Sequence, residues 1–183
     1  RGLLTIVGNI GDRKIVPYLK PHALERNSKL RYDTIHALRK IGGEEANAVF
    51  IQLLDDPDPD IRTAAARSLD LSGELTAGRS ILTMTRQKNF KKRSFIEKKA
   101  LLEYLGGSRM EEGLPLLRRL LKRGSWLFPR RNTDTRVCAA LGLGKFGSQE
   151  AFDALREQIR SRNPLVRETC TAILRGAGEL DDR

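Results

Sequence analysis

Histidine, cysteine and aromatic residues are scarce in this 183-residue chain, which holds two His, two Cys, one Trp, three Tyr and six Phe. Two cysteines cannot build a disulfide framework, and Cys138 and Cys170 stand in helical patterns among small apolar neighbours, where buried, reduced thiols belong. No uninterrupted apolar run reaches the roughly 18 residues that a membrane helix needs. The start, Arg1-Gly2-Leu3-Leu4-Thr5-Ile6-Val7, is cut short by Gly8 and Asn9 and makes a poor secretory signal. A soluble, cytoplasmic chain is the expectation. Acidic side chains are also short: 23 Asp and Glu stand against 34 Lys and Arg, a net charge of +11. With 39% hydrophobic residues there is still enough apolar material for a core, which argues against disorder.

What is present in regular supply is glycine in register. Gly11, Gly42, Gly73, Gly106, Gly147 and Gly178 close matching apolar segments at spacings of 31, 31, 33, 41 and 31 residues. Four positions before each stands an aliphatic residue (Val7, Leu38, Leu69, Leu102, Leu143, Leu174), one helical turn away on the same face. Glycine after it supplies the left-handed conformation that ends a helix. Eleven positions before the glycine, four units carry arginine: Arg31, Arg62, Arg136 and Arg167. Four residues earlier again come Asn27, Asp58, Asn132 and Asn163, side chains suited to accept from the first free amides of a helix. Pro59 and Pro164 follow two of these caps, at the first helical position. Between each glycine and the next cap a second helical spacing appears, as in Ala46, Phe50, Leu53 and Leu54. Two antiparallel helices joined by a glycine turn cannot bury both faces alone, so the units must stack. The expected fold is all-α, a right-handed α-solenoid of antiparallel helix pairs of about 31 residues.

The runs Asp58-Pro-Asp-Ile-Arg62-Thr-Ala-Ala-Ala-Arg-Ser-Leu69 and Asn132-Thr-Asp-Thr-Arg136-Val-Cys-Ala-Ala-Leu-Gly-Leu143 resemble the short HEAT-like repeats also found in phycobilisome bilin lyases. The resemblance covers nearly the whole chain and implies one HEAT-like repeat domain over 1–183. Repeats of this class serve as binding scaffolds more often than as enzymes. Its first helix would start before Arg1, and Gly178 is followed by only five residues, so a piece of a longer array is expected. The repeated Arg31, Arg62, Arg136 and Arg167 are expected to form a structural ladder with the Asp or Asn of neighbouring units.

Residues shared by all units are most simply explained by stacking, so function is sought where a unit departs from the rest. From glycine to the next cap position the connection is 16 residues in three units, but 18 from Gly73 to Lys91 and 26 from Gly106 to Asn132. The fourth unit has Lys91 in place of the cap and Phe95 in place of the arginine. Lys98 and Lys99 stand where the preceding unit has Ala65 and Ala66, so that helix is rotated or its lysines face solvent. Charge follows the same geography: 14 of the basic residues and only 4 acidic ones lie between Arg86 and Arg131. Stacked loops should bring Arg86, Lys88, Lys91, Lys92 and Arg93 close to Lys122, Arg123, Arg130 and Arg131, concentrating positive potential on one edge. The longest insertion also holds Trp126 and Phe128, which either fold over the core or serve as an interface anchor or a base-stacking platform.

Catalytic groupings are hard to find. His22 and His36 fall in different units, and neither is followed by the Glu that metal-binding HEAT-like hydroxylases carry, so no metal and no cofactor is implied. Gly142-Leu143-Gly144-Lys145-Phe146-Gly147 ends a helix and is not the strand-to-helix turn of a phosphate loop. Ser125 has no neighbouring base, and Glu111 and Glu112 open a helix, where carboxylates suit the dipole. The leading expectation is a non-catalytic scaffold that docks an acidic protein surface on its basic edge. Nucleic-acid binding, with a HEAT-like DNA glycosylase as its enzymatic extreme, is the second, and a bilin lyase subunit the third.

Overall fold

The period carried by the glycines becomes a succession of short helices. The computed structural model describes residues 2–69, 75–124 and 132–180. The α-helices in them are α1 (Gly2–Ile10), α2 (Val16–Leu24), α3 (Arg31–Ile41), α4 (Glu44–Leu53), α5 (Pro59–Ser68), α6 (Leu75–Arg86), α7 (Phe95–Gly107), α8 (Gly113–Lys122), α9 (Thr133–Phe146), α10 (Gln149–Arg156) and α11 (Pro164–Gly176). Short 3-10 segments lie at Arg13–Ile15 and Lys88–Lys92. There is no strand among the described residues, and none of the described helices is long and apolar enough to cross a membrane.

Helices start where a side chain can satisfy the first free amides, and two of the four expected caps do this. Asp58 accepts from the Asp60 amide at the head of α5, and Asn163 from the Val166 amide at the head of α11, each with proline next in line. Asn27 does not cap. Ser28 Oγ accepts from the Leu30 amide instead, and α3 starts at Arg31, four residues beyond the expected cap. Asn132 makes no side-chain cap either: its backbone is left-handed (φ 58°), and its side-chain amide donates to the Arg123 carbonyl at 3.1 Å. In the fourth unit the cap is Ser94. It forms a reciprocal box with Glu97, each side chain bonding the other's backbone amide, so the helix missing a cap at Lys91 simply begins later.

Two compact units divide the chain, Arg1–Ser80 and Ile81–Arg183, the boundary falling inside α6. In the first, α1 packs on α3 and α3 on α5, while α2 packs on α4 and also covers α3. In the second, α7, α9 and α11 form the same succession, with α8 against both α9 and α10. Each unit is thus a stack of antiparallel helix pairs, the α-solenoid arrangement. The aliphatic positions one turn before the glycines fill its core: Leu38, Leu102, Leu143 and Leu174 have no exposed area. Truncating such a leucine to alanine removes about 2–5 kcal/mol of stability.

Four of the six register glycines end helices in a positive-φ turn: Gly11, Gly42, Gly147 and Gly178. Gly73 lies outside the described residues. Gly106 departs from the expectation, being buried within α7, and the left-handed turn that follows is made by Arg109 (φ 51°). Its reason is contact. A Cβ at Gly106 would stand 1.9 Å from the Gly142 carbonyl oxygen, and one at Gly142 would stand 2.5 Å from that of Leu102. The backbones of α7 and α9 therefore meet with no room for a side chain on either side.

Candidate functional site

The repeated arginines split into two kinds. Arg31 and Arg136 are buried and bridge successive pairs. Arg31 Nε donates to the Ala23 carbonyl at the end of α2 (3.0 Å), and its guanidinium pairs with Asp56 in the loop before α5. Arg136 repeats the gesture: Nε donates to Leu121 at the end of α8 (2.9 Å), and Nη2 to Gln158 Oε1 and Ser161 Oγ (3.0 and 3.2 Å). Burial pulls the Arg136 guanidinium down from its usual pKa. Burial would by itself raise the Asp56 carboxyl, but the bonds from Arg31 and the Asp58 amide outweigh it and hold that carboxyl below its ordinary value. The bonds described for Arg62 reach Asp56 and Pro57 (2.8 and 3.0 Å) and the one for Arg167 reaches Ser161 (3.3 Å), carbonyls of the loop leading into their own helix. Asp56 receives Arg31, and Gln158 and Ser161 receive Arg136. Among the caps, Asn163 links successive helix pairs within the second unit, donating to Thr133 Oγ1 at 2.7 Å.

The basic region is organised by the 3-10 segment Lys88–Lys92, whose three residues per turn sort its side chains by thirds. Phe90 and Arg93, three apart, turn inward and are buried at 3% and 7% exposure. Asn89 and Lys92 lie exposed. Lys88 and Lys91, also three apart, line a cleft of about 400 Å³ together with Thr85, Arg86, Gln87, Phe90, Arg123, Asn132 and Thr135. Four cations, Arg86, Lys88, Lys91 and Arg123, thereby converge from the end of α6 and the end of α8, and no acidic residue is among the described residues lining the cleft. All four are exposed and form no ion pair with a described carboxylate.

Other members of the expected basic edge go elsewhere. Arg93 is a correction: it is a core residue whose Nη1 lies 3.3 Å from Glu97 Oε1, because the 3-10 turn points it inward beside the Ser94–Glu97 cap. Lys122 stays exposed but is tied to Glu157 Oε2 at 2.6 Å. Trp126, Phe128, Arg130 and Arg131 lie outside the described residues. Lys98 and Lys99 take different surroundings, the first buried at 5% exposure and the second exposed. Sequence reading missed Thr85, Gln87, Phe90 and Thr135 as cleft residues. The Ser-x-x-Glu box at Ser94 was a visible signal that Arg93 precedes a helix start and does not extend a solvated run.

Among the described residues no group of three or more His, Cys, Asp or Glu side chains is placed to hold a metal ion. Burial pushes the thiols of Cys138 and Cys170 up to about 12, far from nucleophilic range. A smaller recess of about 150 Å³ in the first unit is lined by Tyr32, Ile35, His36, Arg39, Ala64, Arg67 and Ser68, on neighbouring turns of α3 and α5.

Comparison with known proteins places residues 1–77 under the family model described as HEAT repeats. A search of curated proteins finds no match. Among solved structures the chain is similar to human deoxyhypusine hydroxylase in complex with glycerol, at 16% identity and a TM-score of 0.41, over 98% of this chain and 79% of that one.

Proposed function

We propose that this HEAT-repeat chain is a non-catalytic scaffold that docks an acidic protein surface in the cationic cleft of its second unit. One observation carries the reading: Arg86, Lys88, Lys91 and Arg123 point into one recess with no described carboxylate to neutralise them. Like charges held near one another on a concave surface raise the local positive potential, and an incoming anion is drawn to it. The recess is built on helix ends and a turn pinned by Phe90, so the backbone that carries its donors is already placed and needs no reordering for binding. Expression in the cytoplasm suits a chain with two buried reduced thiols.

The test is fluorescence anisotropy with a labelled polyglutamate peptide, titrated at low and moderate salt. The parent chain is expected to bind, with affinity falling as salt rises. A variant carrying Glu at Arg86, Lys88, Lys91 and Arg123 should lose binding while keeping its helical circular dichroism. Equal affinity of the parent and a folded variant would remove the cleft from the docking surface.

A further inference from the structure

Resting on the acidic-partner reading, we infer that the cleft takes a phosphate monoester carried on a serine or threonine of the partner. Charge comes first. Four cations face one recess, whereas a single Asp or Glu side chain brings one charge and two oxygens. A phosphorylated side chain brings a charge of about −1.5 to −2 and three strong acceptor oxygens. Its oxygens can be shared between donors arriving from different walls: Arg86, Lys88 and Lys91 on the side of the 3-10 segment, Arg123 on the side of α8. Arginine adds a planar fork that meets two phosphate oxygens at once, and each wall supplies one.

The uncharged lining points the same way. Gln87 and the Thr135 hydroxyl add donors around the cations, and Phe90 supplies an apolar part of the lining. Thr135 sits in the first turn of α9, the positive end of that helix. At about 400 Å³ the cleft is of the size that encloses a compact ligand group. A nucleic-acid backbone would need a row of cations continuing beyond the recess, since duplex DNA carries a charge about every 1.7 Å of its axis. Of the described cations beside the recess, Arg93 is engaged with Glu97 and Lys122 with Glu157, while Lys92 stays exposed.

The experiment uses short peptide pools randomised around a central phosphothreonine, the same pools with Glu or Thr at the centre, and a single-stranded oligonucleotide. Binding is followed by anisotropy and by the arginine Nε and backbone amide resonances of the isotope-labelled chain. The phosphothreonine pool should bind about tenfold more tightly than the Glu pool, with the Thr pool weakest. Its affinity should fall as the pH drops through about 6, where the phosphate takes up its second proton, while the Glu pool keeps its affinity there. Arg123→Gln, and separately Lys88→Gln with Lys91→Gln, should each weaken the phosphothreonine complex by about tenfold. Lys145→Gln, on the exposed end of α9, should not. The two sets of changes lie on different elements, so misfolding of one leaves the other as the test.

Equal binding of the phosphothreonine and Glu pools, both lost in the cleft variants, overturns the phosphate inference and leaves acidic docking standing. No resonance shift with any pool overturns both. An oligonucleotide that displaces the phosphothreonine pool overturns both in favour of nucleic acid.

Discussion

At the Arg31–Asp56 corner of the first unit and at the cleft of the second, arginines and lysines reach the ends of helices that finish a repeat, with opposite outcomes. Arg31 meets a carboxylate of its own chain, both side chains below a tenth exposed. Arg86, Lys88, Lys91 and Arg123 meet none among the described residues. The units differ accordingly: residues 1–80 hold 12 basic and 11 acidic side chains, residues 81–183 hold 22 and 12. A cation paired inward is part of the fold, and a cation left outward is available to a partner. The same residue type at similar places in the repeat therefore has two uses, told apart by where the nearest carboxylate stands.

That contrast can be broken from either side. The largest effect on stability is expected from Arg31→Ala, which strands Asp56 and frees the Ala23 carbonyl; a loss of about 3 kcal/mol in denaturant melts is expected, with anion binding unchanged. Charge reversal at the four cleft cations should do the reverse, removing polyglutamate binding while each change shifts stability by no more than about 0.5 kcal/mol. Acid gives a smaller, graded effect. Because the folded carboxyl of Asp56 lies below its ordinary 3.8, its contribution is fully present well above that value. It is lost as the pH falls through the folded pKa, so the stability gap between the parent and Asp56→Asn should close in acid and stay constant at neutral pH. Smallest is a rate near zero: with Cys138 and Cys170 held at about 12, a thiol reagent at mildly alkaline pH should label the chain only after denaturant is added.

The helix period was legible because its signals are local. A left-handed turn needs glycine at Gly42 or Gly147 whatever surrounds it, and Leu38 or Leu143 one turn earlier must face inward. Gly106 was misread because the same residue can also permit close approach, a need set by Gly142 on another helix. Arg93 was misread as solvated since a basic run carries no sign of the three-residue period that turned Phe90 and Arg93 inward together. Arg86, Lys88, Lys91 and Arg123 could be grouped from neighbouring loops alone. Thr85, Gln87 and Thr135 could not, for their place depends on how α6, α8 and α9 end against one another.

The most direct measurement is a titration of the isotope-labelled chain with a glutamate-rich peptide, followed through its arginine Nε and backbone amide signals. Shifts confined to Arg86, Lys88, Lys91, Arg123 and their immediate neighbours, with Arg31 and the rest of the first unit still, are the predicted result. Shifts spread evenly over exposed lysines and arginines of both units, or centred on the α3–α5 recess, would contradict docking in the cleft.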